Sequence, residues 1–103
     1  MNNVLYPAVF VRDSENDSVF SVYFPDLPGA LTYGDTLADA ILMAQDCAGL
    51  WLFDELELGH TFPKASKVES ISLERGQFVQ YIAVDMDEFV RKHSQRVVRK
   101  NVS

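Results

Sequence analysis

The first 33 residues form short apolar runs separated by polar or Pro/Gly-rich turns, a pattern typical of β-strands. Residues 4–12 place apolar side chains on both faces of an extended segment and predict a strand. Pro7 has no N–H to donate, so we expect this strand at a sheet edge or Pro7 near its start. Residues 19–24 predict a second strand, close enough to pair with the first as an antiparallel hairpin. After a sharp Pro/Gly turn, residues 30–33 predict a short third strand.

A long helix follows, because the spacing of apolar residues changes from two to about 3.6. The sequence from Thr36 to Asp39 has the form of a capping box, and Gly59 marks the end of the helix. With about 100° of rotation per residue, eight apolar side chains fall on one stripe of this helix, and we expect that stripe to lie on the sheet. Its members are Leu37, Ala40, Ile41, Ala44, Cys47, Ala48, Trp51 and Leu58.

The opposite side of this helix carries acids, as a solvent-exposed face should, but also large apolar residues. A second, interrupted apolar face usually packs against another surface. Its members, Leu42, Met43, Leu50 and Phe53, are our candidates for self-association, and we expect a homodimer or a higher homo-oligomer.

The remainder of the chain alternates between less regular and more regular segments. Residues 60–67 predict a loop, whereas residues 68–73 fit either a strand or irregular structure. Residues 78–84 are rich in aromatic and β-branched residues and predict a strand. Asp85 to Glu88 then cap a short helix through Lys92. The order βββαβα indicates an α+β fold, in which a mostly antiparallel sheet carries one long helix on one face and a short C-terminal helix.

Charge divides the chain unequally. The 103 residues suit one compact domain, with a net charge of −6. Residues 1–90, the predicted domain, hold all fifteen acids and four basic residues, a balance of −11, whereas residues 91–103 form a basic tail of +5. The acidic body suits a basic partner and has little to offer a phosphate backbone. With no signal peptide and no apolar run long enough to span a bilayer, we expect a cytoplasmic protein.

Residues that could carry catalysis are few. His60 and His93 have no Cys, Asp or Glu at metal-ligand spacing, and Cys47 lies on the buried stripe without an adjacent base. The carboxylates are dispersed, while a two-metal hydrolase needs several that converge. We therefore expect no catalytic residues, no bound metal, no cofactor and no enzymatic activity.

Four segments together resemble the HicB-type antitoxins of HicA/HicB toxin–antitoxin systems, and they extend over nearly the whole chain. They are Tyr6-Pro7-Ala8, Phe24-Pro25-Asp26-Leu27-Pro28-Gly29, Gly34-Asp35-Thr36-Leu37 with Ala40 beyond it, and Val84-Asp85-Met86-Asp87-Glu88-Phe89.

This resemblance implies a partial, catalytically degenerate ribonuclease-H-like domain that binds and inhibits a HicA-type toxin. Such toxins are small basic ribonucleases that cleave mRNA, and an acidic body complements their charge. If the fold is as predicted, the Pro/Gly turn and the start of the long helix lie near each other. We therefore take Asp26, Leu27, Tyr33 and Asp35 as candidate toxin contacts.

HicB-type proteins usually continue into a DNA-binding domain that represses their own operon. Residues 97–103 resemble the start of a ribbon-helix-helix unit, a strand followed by a helix cap, without the helices that complete it. Operon repression would therefore depend on a C-terminal segment, because a lone strand cannot specify a DNA sequence. Candidate nucleic-acid contacts in the tail are Arg91, Lys92, Arg96, Arg99 and Lys100. Two alternatives stay open: a stand-alone nucleic-acid-binding module, or a weak metal-dependent ribonuclease.

Overall fold

A computed structural model describes residues 3–102, with side chains described for residues 3–94. The element order is βββαβα, which confirms the predicted α+β fold. The elements are β1 (Asn3–Arg12), β2 (Phe20–Tyr23), β3 (Leu31–Gly34), α1 (Leu37–Glu57), a single 3-10 turn (Val68–Ser70), β4 (Gln77–Asp85) and α2 (Met86–Val102). No helix in the described range is long and apolar enough to cross a membrane.

The four strands form one antiparallel sheet in the order β3-β2-β1-β4, so β1 is central. The predicted hairpin is confirmed, with Phe10 opposite Val22. β4 pairs with nearly the full length of β1. β2 pairs with β1 only from Val9 to Arg12, so Pro7 has β4 on one side and no strand partner on the other. The central strand β1 therefore tolerates Pro7, because Pro7 lies outside the part of β1 that pairs with β2.

The core lies between one face of the sheet and α1. Ala40, Ala44 and Ala48 are fully buried, and their small side chains let the helix approach the strands closely. Leu52 completes this buried row one turn later. Sheet residues of the same core are Tyr6, Ala8, Phe10, Phe20, Val22, Ile82 and Val84.

The predicted apolar stripe of α1 is right in its centre and wrong at its ends. Ile41, Cys47 and Trp51 pack against the core as expected. Leu37 and Leu58, however, are 40% and 65% exposed. Leu37 is the first residue of α1 and Leu58 is its C-cap, so each has a neighbouring helical turn on one side only.

Both ends of α1 are set by local hydrogen bonds. The Thr36 hydroxyl oxygen accepts a bond from the Asp39 N–H at 3.1 Å, which confirms the predicted N-cap. At the other end, the His60 N–H donates to the Glu55 carbonyl and the Gly59 N–H to the Leu56 carbonyl. This is a Schellman motif, and it requires the left-handed backbone that Gly59 adopts at φ 75°.

Residues 58–76 return the chain from the end of α1 to the start of β4. The Pro63 carbonyl accepts a hydrogen bond from the Tyr6 hydroxyl, and Ser66 donates to the Asp26 carboxylate. The segment left open between strand and irregular structure contains the 3-10 turn and no strand.

The C-terminal helix begins where predicted, since the Asp85 carboxylate accepts a bond from the Glu88 N–H at 3.1 Å. It then continues to Val102, well past the predicted end at Lys92. The strand expected within residues 97–103 is therefore wrong over the described backbone. An alternating pattern of only five residues does not distinguish a strand from a helix. An isolated strand leaves its backbone N–H and C=O groups unpaired, whereas a helix pairs them internally.

Candidate functional site

The junction between β3 and α1 brings the helix very close to the end of a strand. β3 ends at Gly34, and a Cβ at this position would overlap the backbone of Ala40. Only a glycine allows this approach. Because the Thr36 cap starts the helix immediately afterwards, the end of β3 and the first two turns of α1 lie beside each other.

A cleft of about 360 Å³ opens at this junction. Its lining combines two residues predicted to contact the toxin, Tyr33 and Asp35, with two predicted to self-associate, Leu42 and Met43. Asp39 also lines it, and no basic residue does. We name this cavity, which combines apolar side chains with two carboxylates, the α1–β3 cleft.

The cleft continues along the solvent side of α1. Leu42, Met43 and Leu50 are 63%, 46% and 42% exposed. Asp39 and Asp46 lie beside them and are also exposed. The sequence of α1 includes five acidic residues and no Lys, Arg or His. This face therefore places apolar contact area beside the carboxylates of Asp39 and Asp46.

Phe53 does not belong to this exposed face, although the sequence placed it there. Its ring lies 6.4 Å from that of Phe89 and 5.3 Å from that of His93, centroid to centroid. The rings of Phe89 and His93 stack at 4.1 Å. α2 thus covers this part of α1 within the same chain. In the sequence, the i, i+4 spacing of Phe89 and His93 places both rings on one face of α2, and this spacing indicates a face that could pack against α1.

Leu27 is fully buried and packs in the core, so it cannot contact a partner. Its turn is closed by backbone bonds from the Leu27 N–H to the Phe24 carbonyl and from the Ala30 N–H to the Leu27 carbonyl. A leucine between two prolines has the appearance of a surface turn in the sequence, but here the turn folds inward and Leu27 fills the core. The predicted toxin contact at Leu27 is therefore a core residue with no exposed surface.

Asp26 has an internal partner. Its two carboxylate oxygens accept hydrogen bonds from the Ser66 N–H, at 2.8 Å, and from the Ser66 hydroxyl. The carboxylate therefore fixes the long return segment to the turn after β2. It also raises the pKa of the Tyr6 hydroxyl, although burial of that hydroxyl is the larger cause.

The first basic residues of the tail are paired within α2. Glu88 accepts hydrogen bonds from the Arg91 guanidinium and lies 4.0 Å from the Lys92 ammonium. The Arg91 hydrogen bond is the main cause that holds the pKa of Glu88 below its usual value. The side chains of Arg96, Arg99 and Lys100 lie outside the described residues.

Reactive groups are dispersed in the described side chains. Among residues 3–94 no three His, Cys, Asp or Glu side chains approach closely enough to hold a metal ion. The Cys47 thiol donates to the Leu31 carbonyl at 3.7 Å. Burial, and secondarily the charge of Asp46, raise its pKa. Exposed apolar side chains and carboxylates meet at the α1–β3 cleft.

Known proteins resemble this chain in sequence. A family model described as "HicB_like antitoxin of bacterial toxin-antitoxin system" matches residues 6–103. Antitoxin HicB 2 of Photorhabdus laumondii is 48% identical over 44 residues, which are 43% of this chain and 30% of that protein. The matched segment is thus less than a third of the length of that relative.

Solved structures share the fold. A toxin–antitoxin complex from Streptococcus pneumoniae contains a chain that is 24% identical with a TM-score of 0.76, over 85% of this chain and 73% of that one. The N-terminal domain of the Burkholderia pseudomallei antitoxin HicB is 26% identical with a TM-score of 0.68, over 80% and 99%. A chain of a HicA3 and HicB3 toxin–antitoxin complex is 20% identical with a TM-score of 0.62, over 80% and 99%.

Proposed function

Because the chain belongs to the HicB-like antitoxin family of bacterial toxin–antitoxin systems, we propose that it binds and neutralises a HicA-type toxin. The toxin is a small basic mRNA ribonuclease, and the two proteins meet in the cytoplasm. The antitoxin acts by covering the toxin surface and performs no chemistry of its own.

One observation carries the assignment of the binding surface. The solvent side of α1 joins exposed Met43 and Leu50 to a helix sequence with five acids and no base. The acids attract a basic protein over a distance of roughly 8–10 Å, the Debye length at physiological salt, and so raise the rate of encounter. The apolar side chains then supply the contact area that slows dissociation.

The α1–β3 cleft is the expected centre of this surface. Tyr33 and Leu42 provide apolar walls, and Asp35 and Asp39 supply the charge. A lysine or arginine of the toxin would place its aliphatic stem against the walls and its cationic end near the carboxylates. Of the four predicted toxin contacts, Tyr33 and Asp35 therefore stay in the proposal, and Leu27 and Asp26 do not.

The test is a calorimetric titration with the product of the adjacent gene, combined with an mRNA cleavage assay. We expect a defined stoichiometry, and cleavage that stops when the toxin is saturated. Met43→Lys places a positive charge in the cleft and should weaken binding by at least about 100-fold, because it removes apolar contact and repels a basic partner. Leu58→Lys, which changes a leucine that is 65% exposed beyond the end of α1, is the matched control. Absence of binding by the unmodified chain at moderate salt would overturn the proposal.

We propose a second, subordinate activity for the C-terminal helix, namely operon repression through DNA. Residues 91–103 carry five basic residues and no acid, and the structure extends α2 through most of them. A gel shift with operator DNA tests this. The affinity should fall steeply with salt, since phosphate contacts release counterions. A chain in which the basic residues are replaced by Gln should lose the shift, and an unchanged shift contradicts the proposal.

A further inference from the structure

β4 is the longer of the two edge strands of the sheet. It pairs with β1 in an uninterrupted register, from Asn3 opposite Asp85 to Val11 opposite Gln77, and no described strand pairs with its other side. Edge strands of soluble proteins are usually protected by charged residues, prolines or bulges. From Gln77 to Val84 this strand has no charged residue and no proline, and its register contains no bulge. This edge is therefore open to the addition of another strand.

Side-chain hydrogen bonds identify the backbone groups of β4 that point away from β1. The Tyr81 carbonyl accepts the Gln80 side-chain amide at 3.4 Å, and the Ala83 carbonyl accepts the Gln45 amide at 3.1 Å. In an antiparallel pair, the N–H and C=O of one residue point to the same side, and successive residues alternate. Val79, Tyr81 and Ala83 therefore direct both groups outward. The backbone N–H groups of an added strand could replace the two side-chain amides.

The free edge of β4 is continuous with the surface that we propose for toxin binding. A cavity of about 270 Å³ lies where the C-terminal end of β4 meets α1 and α2. Leu42 lines both this cavity and the α1–β3 cleft. The cavity is also lined by the carboxylates of Asp46, Asp85 and Glu88. Lys92 lines it too and is paired with Glu88, so Asp46 and Asp85 leave the cavity negatively charged. One basic partner could therefore contact the cleft, the cavity and the edge of β4.

We propose that an extended segment of the toxin adds to the sheet as a fifth strand, paired with the outward backbone groups of Val79, Tyr81 and Ala83; this inference rests on the proposed function. A basic side chain of the segment then enters the cavity near the carboxylates of Asp46 and Asp85. The backbone hydrogen bonds supply affinity, and the basic side chain fixes the position of the segment. Charge favours this occupant, because a chain of net charge −6 attracts a basic protein and repels a second copy of itself.

Hydrogen exchange of single backbone amides, measured by NMR with and without the product of the adjacent gene, tests the pairing directly. On binding, the outward amides of Tyr81 and Ala83 should exchange at least about 10-fold more slowly. The amide of Ile82 points towards β1 and is the internal control. Toxin binding without this protection overturns the inference and leaves the proposed function standing, whereas absence of binding overturns both. Protection that appears without toxin and rises with chain concentration would assign the edge to a second copy and also overturn the inference.

A pair of substitutions at Tyr81, which is 45% exposed, provides the second test. Tyr81→Pro removes an outward N–H and no bond to β1, and edge strands accept proline at such positions. Tyr81→Ala removes the same side chain but keeps the N–H, so it is the matched control. By calorimetry, Tyr81→Pro should bind the toxin at least about 10-fold more weakly than Tyr81→Ala, because it loses a backbone hydrogen bond and its ring obstructs the added strand. Circular dichroism confirms that both chains fold, and the exchange experiment on the unmodified chain decides if Tyr81→Pro does not. Equal affinities of the two folded chains overturn the inference.

Discussion

The ring of Phe89 lies directly on the α-carbon of Gly49, at the one point where α1 offers no side chain to α2. A Cβ at Gly49 would overlap three atoms of that ring. Phe53 and His93 hold the ring from its other sides. The glycine costs helix stability, roughly 1 kcal/mol relative to alanine, and in return allows the C-terminal helix to dock.

We therefore expect Gly49→Ala to lower the free energy of unfolding by about 1 kcal/mol. Overpacking costs about 1–3 kcal/mol and outweighs the gain of roughly 1 kcal/mol in helix propensity. In a Phe89→Ala background the same substitution should instead stabilise the chain, because the space is then empty. Urea denaturation of the four chains, followed by circular dichroism, measures the difference. The same effect in both backgrounds would mean that the two residues are not in contact.

Asp26 is expected to contribute to stability and not to toxin binding. Asp26→Ala leaves the Ser66 N–H and hydroxyl without their acceptor and should cost about 1–3 kcal/mol of unfolding free energy. Asp17→Ala, at an exposed turn, is the control and should change stability by less than about 0.5 kcal/mol. Calorimetry with the toxin should show affinities within about twofold of the unmodified chain, since the contact is internal and about 0.4 kcal/mol corresponds to that factor. A large loss of affinity without a loss of stability would restore Asp26 as a toxin contact.

Stability should decrease at alkaline pH. The pKa values of Tyr6 and Cys47 are both raised in the folded chain, mainly by burial. The unfolded chain then releases these protons first, near the ordinary values of 9.0 for Cys47 and 10.0 for Tyr6. The stabilisation is complete below pH 9 and is lost as the pH rises above it. Urea midpoints between pH 8 and 10.5 measure this loss.

Cys47→Ser should reduce the fall in unfolding free energy that begins near pH 9. Tyr6→Phe should reduce the fall that begins near pH 10. Tyr6→Phe also loses the bond to the Pro63 carbonyl, so its stability should be lower throughout while its dependence on pH is weaker. A slope that neither substitution changes would assign the alkaline transition to other groups.

Charge and apolar contact should affect toxin binding at different steps. Asp39→Asn combined with Asp46→Asn should slow association several-fold at low salt and make the association rate less dependent on salt. Leu50→Ala should leave association unchanged and speed dissociation about fivefold, which corresponds to the roughly 1 kcal/mol of apolar contact removed. Glu15→Gln combined with Asp17→Asn, in the exposed turn between β1 and β2, makes the same change in net charge and is the control. Surface plasmon resonance at several salt concentrations measures the association and dissociation rates separately. If the aspartate and leucine substitutions change the same rate in the same way, charge and apolar contact do not act at different steps.

The candidate site shows where sequence interpretation succeeds and where it fails. Tyr33, Asp35, Leu42 and Met43 were each singled out, but as two surfaces with two functions. Only the close approach of Gly34 to Ala40 reveals that they line one cleft. This contact between the end of β3 and the start of α1 depends on the geometry of the turn that joins them. The spacing of apolar residues in the sequence does not predict that geometry.

What the sequence determined by itself is the local structure: the strands, the Thr36 cap, the Gly59 termination and the start of α2 at Asp85. Each depends on hydrogen bonds and side-chain spacing within a few residues, so the pattern is readable without knowing the rest of the fold. Only the tertiary structure decided burial at Leu27, at Phe53 and at the two ends of the α1 stripe. Leu27, in a turn between two prolines, is fully buried, whereas Leu58, on the predicted buried stripe, is 65% exposed. Whether an apolar side chain is covered depends on which distant segment lies over it, and that is a property of the assembled chain.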